Sequence, residues 1–107
     1  MDTATQVALN PIYRGKKPIR CEPYKRYIKR FGCIVCGSAR NVDPMHTGPH
    51  GMGQKASDMD VLPGCRKCHD AFDADPRGFA ESHQLDIPVL IQFFNGLWKL
   101  HLDRRAL

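Results

Sequence analysis

Leu62-Pro63-Gly64-Cys65-Arg66-Lys67-Cys68-His69-Asp70-Ala71-Phe72-Asp73 is the stretch on which the fold turns, because its cysteine pair repeats an earlier one, Cys33-Ile34-Val35-Cys36, across 28 residues. Each C-x2-C element presents two thiolates to one side of a tetrahedron, so the matched pairs point to a structural zinc. Independent buried thiols are the plainer alternative, and the symmetric spacing counts against them. Past the second pair, His69 and Asp73 stand four residues apart and share a helix face, where an imidazole and a carboxylate can ligate one ion. The two cysteine pairs also bracket His46, His50 and the run Thr47-Gly48-Pro49-His50-Gly51-Met52-Gly53. A metal clasp closed around a histidine-bearing segment reads as a device for holding a site in shape.

Outward from the clasp, the periodicities give an α+β chain. A helix is predicted from Glu22 to Gly32, with Pro23 in its first turn, Tyr24, Tyr27, Ile28 and Phe31 at helical spacing, and Lys25, Arg26, Lys29 and Arg30 on the opposite face. Residues 40–46 read as a short strand weakened by Pro44, and residues 60–62 as a second extended piece. Helices follow from about Arg66 to Asp73, over 77–83 behind Pro76, and from Ile87 to about Arg104. The last carries so many apolar residues that much of it is expected to be buried, with Trp98 in the core. Residues 1–20, broken by Pro11 and Pro18, read as an extended basic arm, and 21–107 as the zinc-containing domain.

The 107 residues suit one domain, small enough for a structural metal to supplement its core. Net charge is +5, and the pI is about 9.1. The excess is uneven: residues 1–32 carry a net of +6, residues 33–75 a net of −2, and residues 76–107 a net of +1. A basic third beside an acidic, metal-capable middle is what a phosphodiester substrate favours, although a merely solvated basic face has the same composition. No apolar run reaches membrane-spanning length and there is no signal-peptide core, so the five cysteines are read in a reducing cytoplasm where metal binding is favoured over disulfides. Cys21 is the odd one, a buried or spectator thiol.

Four anchors, the paired C-x2-C, the strand histidine in Asn41-Val42-Asp43-Pro44-Met45-His46, the loop Gly53-Gln54-Lys55-Ala56-Ser57-Asp58 and the closing Cys65-Arg66-Lys67-Cys68-His69, resemble the HNH (ββα-metal) endonucleases. Within them the likeness is to the phage-type branch that includes RecA-dependent recombination-enhancing nucleases, and it covers roughly residues 24–98. The resemblance implies a small zinc-stabilised ββα-metal core with flanking helices that hydrolyses DNA. It implies His46 as general base, His69 and Asp73 as ligands of a catalytic Mg²⁺ or other divalent ion, and a loop-pinning position near Asp58 or Asp60. Its setting would be a bacterial or phage-infected cell, with DNA and a recombinase or other recombination protein as partners. The chain departs from that pattern at Met45, where many relatives place a metal ligand and a thioether suits a hard cation badly. Asp43, two residues earlier on the same strand face, is the candidate substitute.

Candidate substrate contacts are Lys16, Lys17, Arg20, Lys25, Arg26, Lys29 and Arg30 for the phosphate backbone, with Lys55 and His50 from the glycine-rich loop. Solvated lysines and a plain loop histidine are the competing readings there, as a zinc ligand or a helix-surface ring is for His69. His83 and His101 read as surface or core residues. The rival to a nuclease is a non-catalytic zinc-ribbon-like module that binds nucleic acid or a recombination protein, which Met45 favours; a zinc-stabilised scaffold with no nucleic-acid role is the third.

Overall fold

The computed structural model describes residues 19–48 and 56–106. Most of the basic arm, with Lys16 and Lys17, and most of the glycine-rich loop, with His50 and Lys55, lie outside them. Among the described residues the elements run α1 (Glu22–Ile28), β1 (Val42–His46), β2 (Val61–Cys65), α2 (Arg66–Ala74), α3 (Pro76–Ser82) and α4 (Ile87–Ala106). The α+β class expected from the sequence is therefore observed. None of these helices is long and apolar enough to cross a membrane.

β1 and β2 pair antiparallel, with Val42 opposite Cys65, Pro44 opposite Pro63 and His46 opposite Val61. Two prolines can face each other here because alternate pairs of an antiparallel ladder exchange no hydrogen bonds, and a residue without an N–H loses nothing at such a pair. The flanking bonds fit that phase: Arg66 N–H donates to the Asn41 carbonyl at 2.9 Å and Thr47 N–H to the Asp60 carbonyl at 2.9 Å. The Pro63 carbonyl, turned out of the ladder, accepts from Ile34 N–H at 3.0 Å and so ties the first cysteine loop to β2. Asn41 adopts a φ of 54°, a conformation asparagine tolerates better than most residues, where the chain enters β1.

The second strand is longer than residues 60–62, running through Pro63 and Gly64 to Cys65, and every residue in it is buried. Proline and glycine argue against a strand by propensity, but both have positional reasons here. Pro63 sits at the unbonded pair, and Gly64 leaves space for Met45: a Cβ on Gly64 would stand 2.9 Å from the Met45 Sδ and 3.3 Å from its Cε. Met45 is itself fully buried. The position expected to lack a metal ligand is thus a core position.

α1 is shorter than the predicted span, ending at Ile28. Its last turns tighten through Arg30 N–H to the Tyr27 carbonyl and Phe31 N–H to the Ile28 carbonyl, both 3.1 Å. The boundary expected after residue 20 falls within packed structure, since the Ile19 carbonyl accepts from Asp58 N–H at 2.9 Å. Tyr24 and Ile28 join Met45, Val61, Leu62, Phe72, Phe79 and Phe94 in one core. α4 closes that core by packing Trp98 on Tyr24 (5.4 Å between centroids) and Phe94 on Phe31 (5.2 Å). Asn95 Nδ2 donates to the Tyr24 hydroxyl at 2.9 Å and to the Met59 carbonyl at 3.1 Å, pinning the helix to two elements at once.

The expectation that much of α4 is buried is corrected. Only the side bearing Leu90, Ile91, Phe94, Leu97 and Trp98 meets the core, while Val89 is 56%, Phe93 56% and Leu100 61% exposed. α1 and the hairpin are short and can cover only one side of a 20-residue helix.

Gly64→Val, which drives a branched side chain into buried Met45, is expected to lower unfolding free energy by about 1–3 kcal/mol, as overpacked cores do. Thermal or urea denaturation measures it, and an unchanged midpoint would show that Met45 has room to move.

Candidate functional site

The four paired cysteines come together. Cys33, buried, begins a tight loop in which Gly37 N–H donates to the Cys33 carbonyl and Cys33 N–H to the Ser38 carbonyl, both at 2.9 Å. Gly37 holds a φ of 76°, which glycine adopts without strain, and Val35 N–H points at the Cys33 Sγ at 3.4 Å. Cys65 ends β2 and caps α2, whose first turn carries Cys68. All four sulfurs lie within 4.8 Å of one another, and the Sγ atoms of Cys36 and Cys65 are 3.7 Å apart. That is far beyond a disulfide and close to the sulfur spacing of about 3.8 Å that a tetrahedral ion with bonds of about 2.3 Å requires. The site could hold zinc.

The acid–base chemistry of the cluster points the same way. Burial pushes the Cys33 thiol up, but the amides of Cys36, Cys65 and Val35 and the Cys68 thiol outweigh it and bring Cys33 down to about 6. Cys68 is pushed up to about 12, by burial first and then by the neighbouring sulfurs of Cys65 and Cys33. Four crowded sulfurs cannot all ionise unaided, and a divalent cation is what stabilises four thiolates at such a spacing. Cys21 stands outside the group.

On the other side of the ββα unit, β1 and α2 bring Asp43, His69 and Asp73 together. His69 Nδ1 is 3.1 Å from Asp43 Oδ2, and its Nε2 is 3.4 Å from Asp73 Oδ2. Pro44 does not interrupt the strand, so Asp43 reaches the helix as the alternation predicts. Nδ1 faces both an acceptor, the Asp43 carboxylate, and a donor, the Arg66 guanidinium at 3.2 Å, while Nε2 faces the Asp73 carboxylate. Asp43 and Asp73 thus face opposite nitrogens of the same ring. Among the described residues the cysteines alone converge as a tight group of three or more donors.

Sequence reasoning passed over Arg66. Its Nη1 donates to Asp43 Oδ2 at 2.9 Å and its Nη2 to Asp70 Oδ1 at 2.7 Å, with Nη2 also 3.2 Å from His69 Nδ1. Arg66, Asp43, Asn41 and Lys29 line an open cleft of about 640 Å³ beside the His69 cluster. The signal available in sequence was position: Arg66 opens α2 one turn before Asp70 and His69.

His46, at the end of β1, has a different partner. Its Nε2 lies 2.9 Å from Oδ1 of Asp58, a carboxylate with no exposed surface. Asp58 also accepts from Arg20 Nη1 at 3.0 Å and from Cys21 N–H at 2.8 Å, with Lys25 Nζ at 3.7 Å. Burial pushes the Asp58 carboxyl up, but His46, the Cys21 amide, Lys25 and Arg20 outweigh it and hold it below the ordinary carboxylate range. Ionised Asp58 fixes the Nε2–H tautomer of His46 and leaves Nδ1 as the ring's acceptor. Asp58, one of the two residues near the expected loop-pinning position, holds His46 through its side chain. Burial raises neighbouring Asp60, with His46 opposing the shift. His46 and His69 have different carboxylate partners, and His46 lies three positions along β1 from Asp43, which sets the two side chains on opposite faces of the strand.

Of the basic residues, Arg20 pairs with Asp58 and its Nη1 also donates to the Ala56 carbonyl at 2.9 Å, while Lys25 pairs with Glu22 at 2.8 Å and lies 3.7 Å from Asp58. Arg30 lies over the Tyr27 ring at 5.8 Å, Lys29 lines the cleft, and Arg26 is exposed. His83 packs on Phe79, and His101 on Tyr27 and Trp98.

Residues 13–100 match the family described as "Protein of unknown function (DUF968)", and the chain belongs to that family. It is similar to the uncharacterized protein YdfU of Escherichia coli (strain K12), 35% identical over 77 residues that make up 69% of this chain and 22% of the relative. The chain thus spans about a fifth of that relative's length. No solved structure matches.

The Asp58 network sets a pH dependence. Because its folded pKa is depressed, Asp58 contributes stability that is present above its unfolded pKa and lost as pH falls through the lower folded value. Asp58→Ala is expected to cost about 1–3 kcal/mol at neutral pH, with the loss shrinking toward zero in acid. Urea unfolding of both proteins across an acid pH series reads this out, and a difference independent of pH would count against an ionised Asp58.

Proposed function

We propose that this member of the DUF968 family is a zinc-stabilised ββα-metal domain of HNH type that hydrolyses DNA phosphodiester bonds with the help of a divalent ion. The observation that carries the reading is the contact across the ββα unit, where Asp43 of β1 meets His69 of α2 with Asp73 one turn further on. The sulfur cluster adds the clasp, in which Cys33, Cys36, Cys65 and Cys68 would hold zinc. His46, whose Nε2 meets the buried Asp58 carboxylate, adds the candidate general base.

In this reading Asp58 holds the His46 ring so that Nδ1 takes a proton from the attacking water. Nε2 of His69 and Asp73 would hold Mg²⁺ or another divalent ion, with Asp43 orienting the imidazole; bound there, the ion would polarise the phosphate and stabilise the leaving oxygen. Lys29 beside the cleft, Arg26 of α1 and Arg30 just past its end supply cations for the backbone, while Arg20 is engaged by Asp58 and Lys25 by Glu22 and Asp58. The setting would be recombination or phage DNA metabolism, with a recombinase as partner.

A second reading is supported by Arg66. Its guanidinium already neutralises Asp43 beside His69, and the two imidazoles have separate partners. On that footing the domain is a non-catalytic zinc module that binds nucleic acid or a recombination protein.

Elemental analysis is expected to find one zinc per chain, reduced by Cys33→Ser or Cys68→Ser. Removing it with a strong chelator is expected to unfold the domain, since structural zinc contributes about 10–16 kcal/mol, comparable with the whole stability of a small domain. Zinc-free protein with an unchanged circular dichroism spectrum would remove the clasp. Purified protein with Mg²⁺, Mn²⁺ or Ni²⁺ is expected to nick plasmid, and His46→Ala to slow nicking by about 10²–10⁴-fold with zinc content unchanged. Salt-sensitive DNA binding without nicking under any of these ions selects the second reading.

A further inference from the structure

We propose that the exposed stripe of α4 is the contact surface of a two-fold homodimer in which two copies of this helix pack antiparallel. Val89, Phe93, Gly96 and Leu100 recur at spacings of four, three and four, so at about 100° per residue they lie within roughly 60° of one another, opposite the side that Phe94 and Trp98 bury. The stripe alternates large and small: Gly96 lies between Phe93 and Leu100, and a Cβ built there meets nothing within 4 Å. A two-fold axis near Gly96 sets Phe93 of each copy against Leu100 of the other, with the two glycines letting the backbones approach.

Charge selects the second copy and its direction. Asp86 and Arg104 are 18 residues apart, five full turns, and so fall on the same flank of the stripe. In an antiparallel pair that flank meets its own equivalent, which brings Asp86 of each copy within reach of Arg104 of the other. It also sets the Arg104 and Arg105 end of one helix beside the negative N-terminal side chain of its neighbour. A parallel pair would set the two Asp86 at one level and the two Arg104 at another, on opposite flanks, and forms neither ion pair. The proposal does not depend on the catalytic reading.

Sedimentation equilibrium of the 107-residue chain is expected to show a mass that rises from one chain to two with concentration, and Phe93→Glu is expected to hold it at one. Phe93 is exposed, so the variant keeps its helix content, checked by circular dichroism. Under mild oxidation with oxidised glutathione, Gly96→Cys at the axis is expected to crosslink two chains and Val89→Cys to remain uncrosslinked. A wild-type chain that stays single throughout, a dimer indifferent to Phe93→Glu, or crosslinking through Val89→Cys instead of Gly96→Cys would each overturn the proposal.

Discussion

The gathering of four sulfurs from two distant loops is the constraint on which the other geometry depends. Cys33 and Cys36 belong to a loop held by its own backbone bonds, while Cys65 and Cys68 straddle the junction of β2 and α2. Joining them fixes where the hairpin ends and the direction in which α2 departs. His69 and Asp73 take their positions from that departure, as Asp43 does from the register of β1 against β2. The Ile34 to Pro63 hydrogen bond supports the same joint with ordinary backbone chemistry, so the loop approaches β2 even before sulfur chemistry is considered.

The sulfur joint and the position of His69 were legible because they rest on short, local signals: a C-x2-C spacing is read directly, and a four-residue interval on a helix leaves little freedom. The extent of β2 was not, because Pro63 and Gly64 carry strand-breaking propensities that only their partners reverse. Pro63 needs to face Pro44 at an unbonded pair, and Gly64 needs Met45 beside it. Both facts belong to register, which no single strand encodes. The covering of α4 failed for a related reason. Its apolar residues run round much of the helix, and which side the core takes depends on the dimensions of α1 and the hairpin.

The polar residues divide along the same lines. Asp58 gathers Arg20, Lys25, the Cys21 amide and His46 around one buried carboxylate, so two cations that look like surface charge in sequence are joined to the interior. The buried acid fixes which nitrogen of His46 faces the interior, so that Nδ1 is the nitrogen turned away from Asp58. The positive charge of the N-terminal third therefore serves two purposes: part of it balances Asp58, and Lys29, at the mouth of the cleft, faces outward.

Arg66 bears most directly on which of the two functional readings holds. It contacts Asp43, Asp70 and His69 from the first turn of α2, so one guanidinium serves a patch that also includes Asp73. Asp43, Asp70 and Asp73 surround Arg66 and the His69 ring, with Lys29 lining the same cleft. On the proposed nuclease reading this patch takes a further cation, and on the second reading the 2.9 Å contact of Arg66 with Asp43 already closes it, so that one contact divides the two.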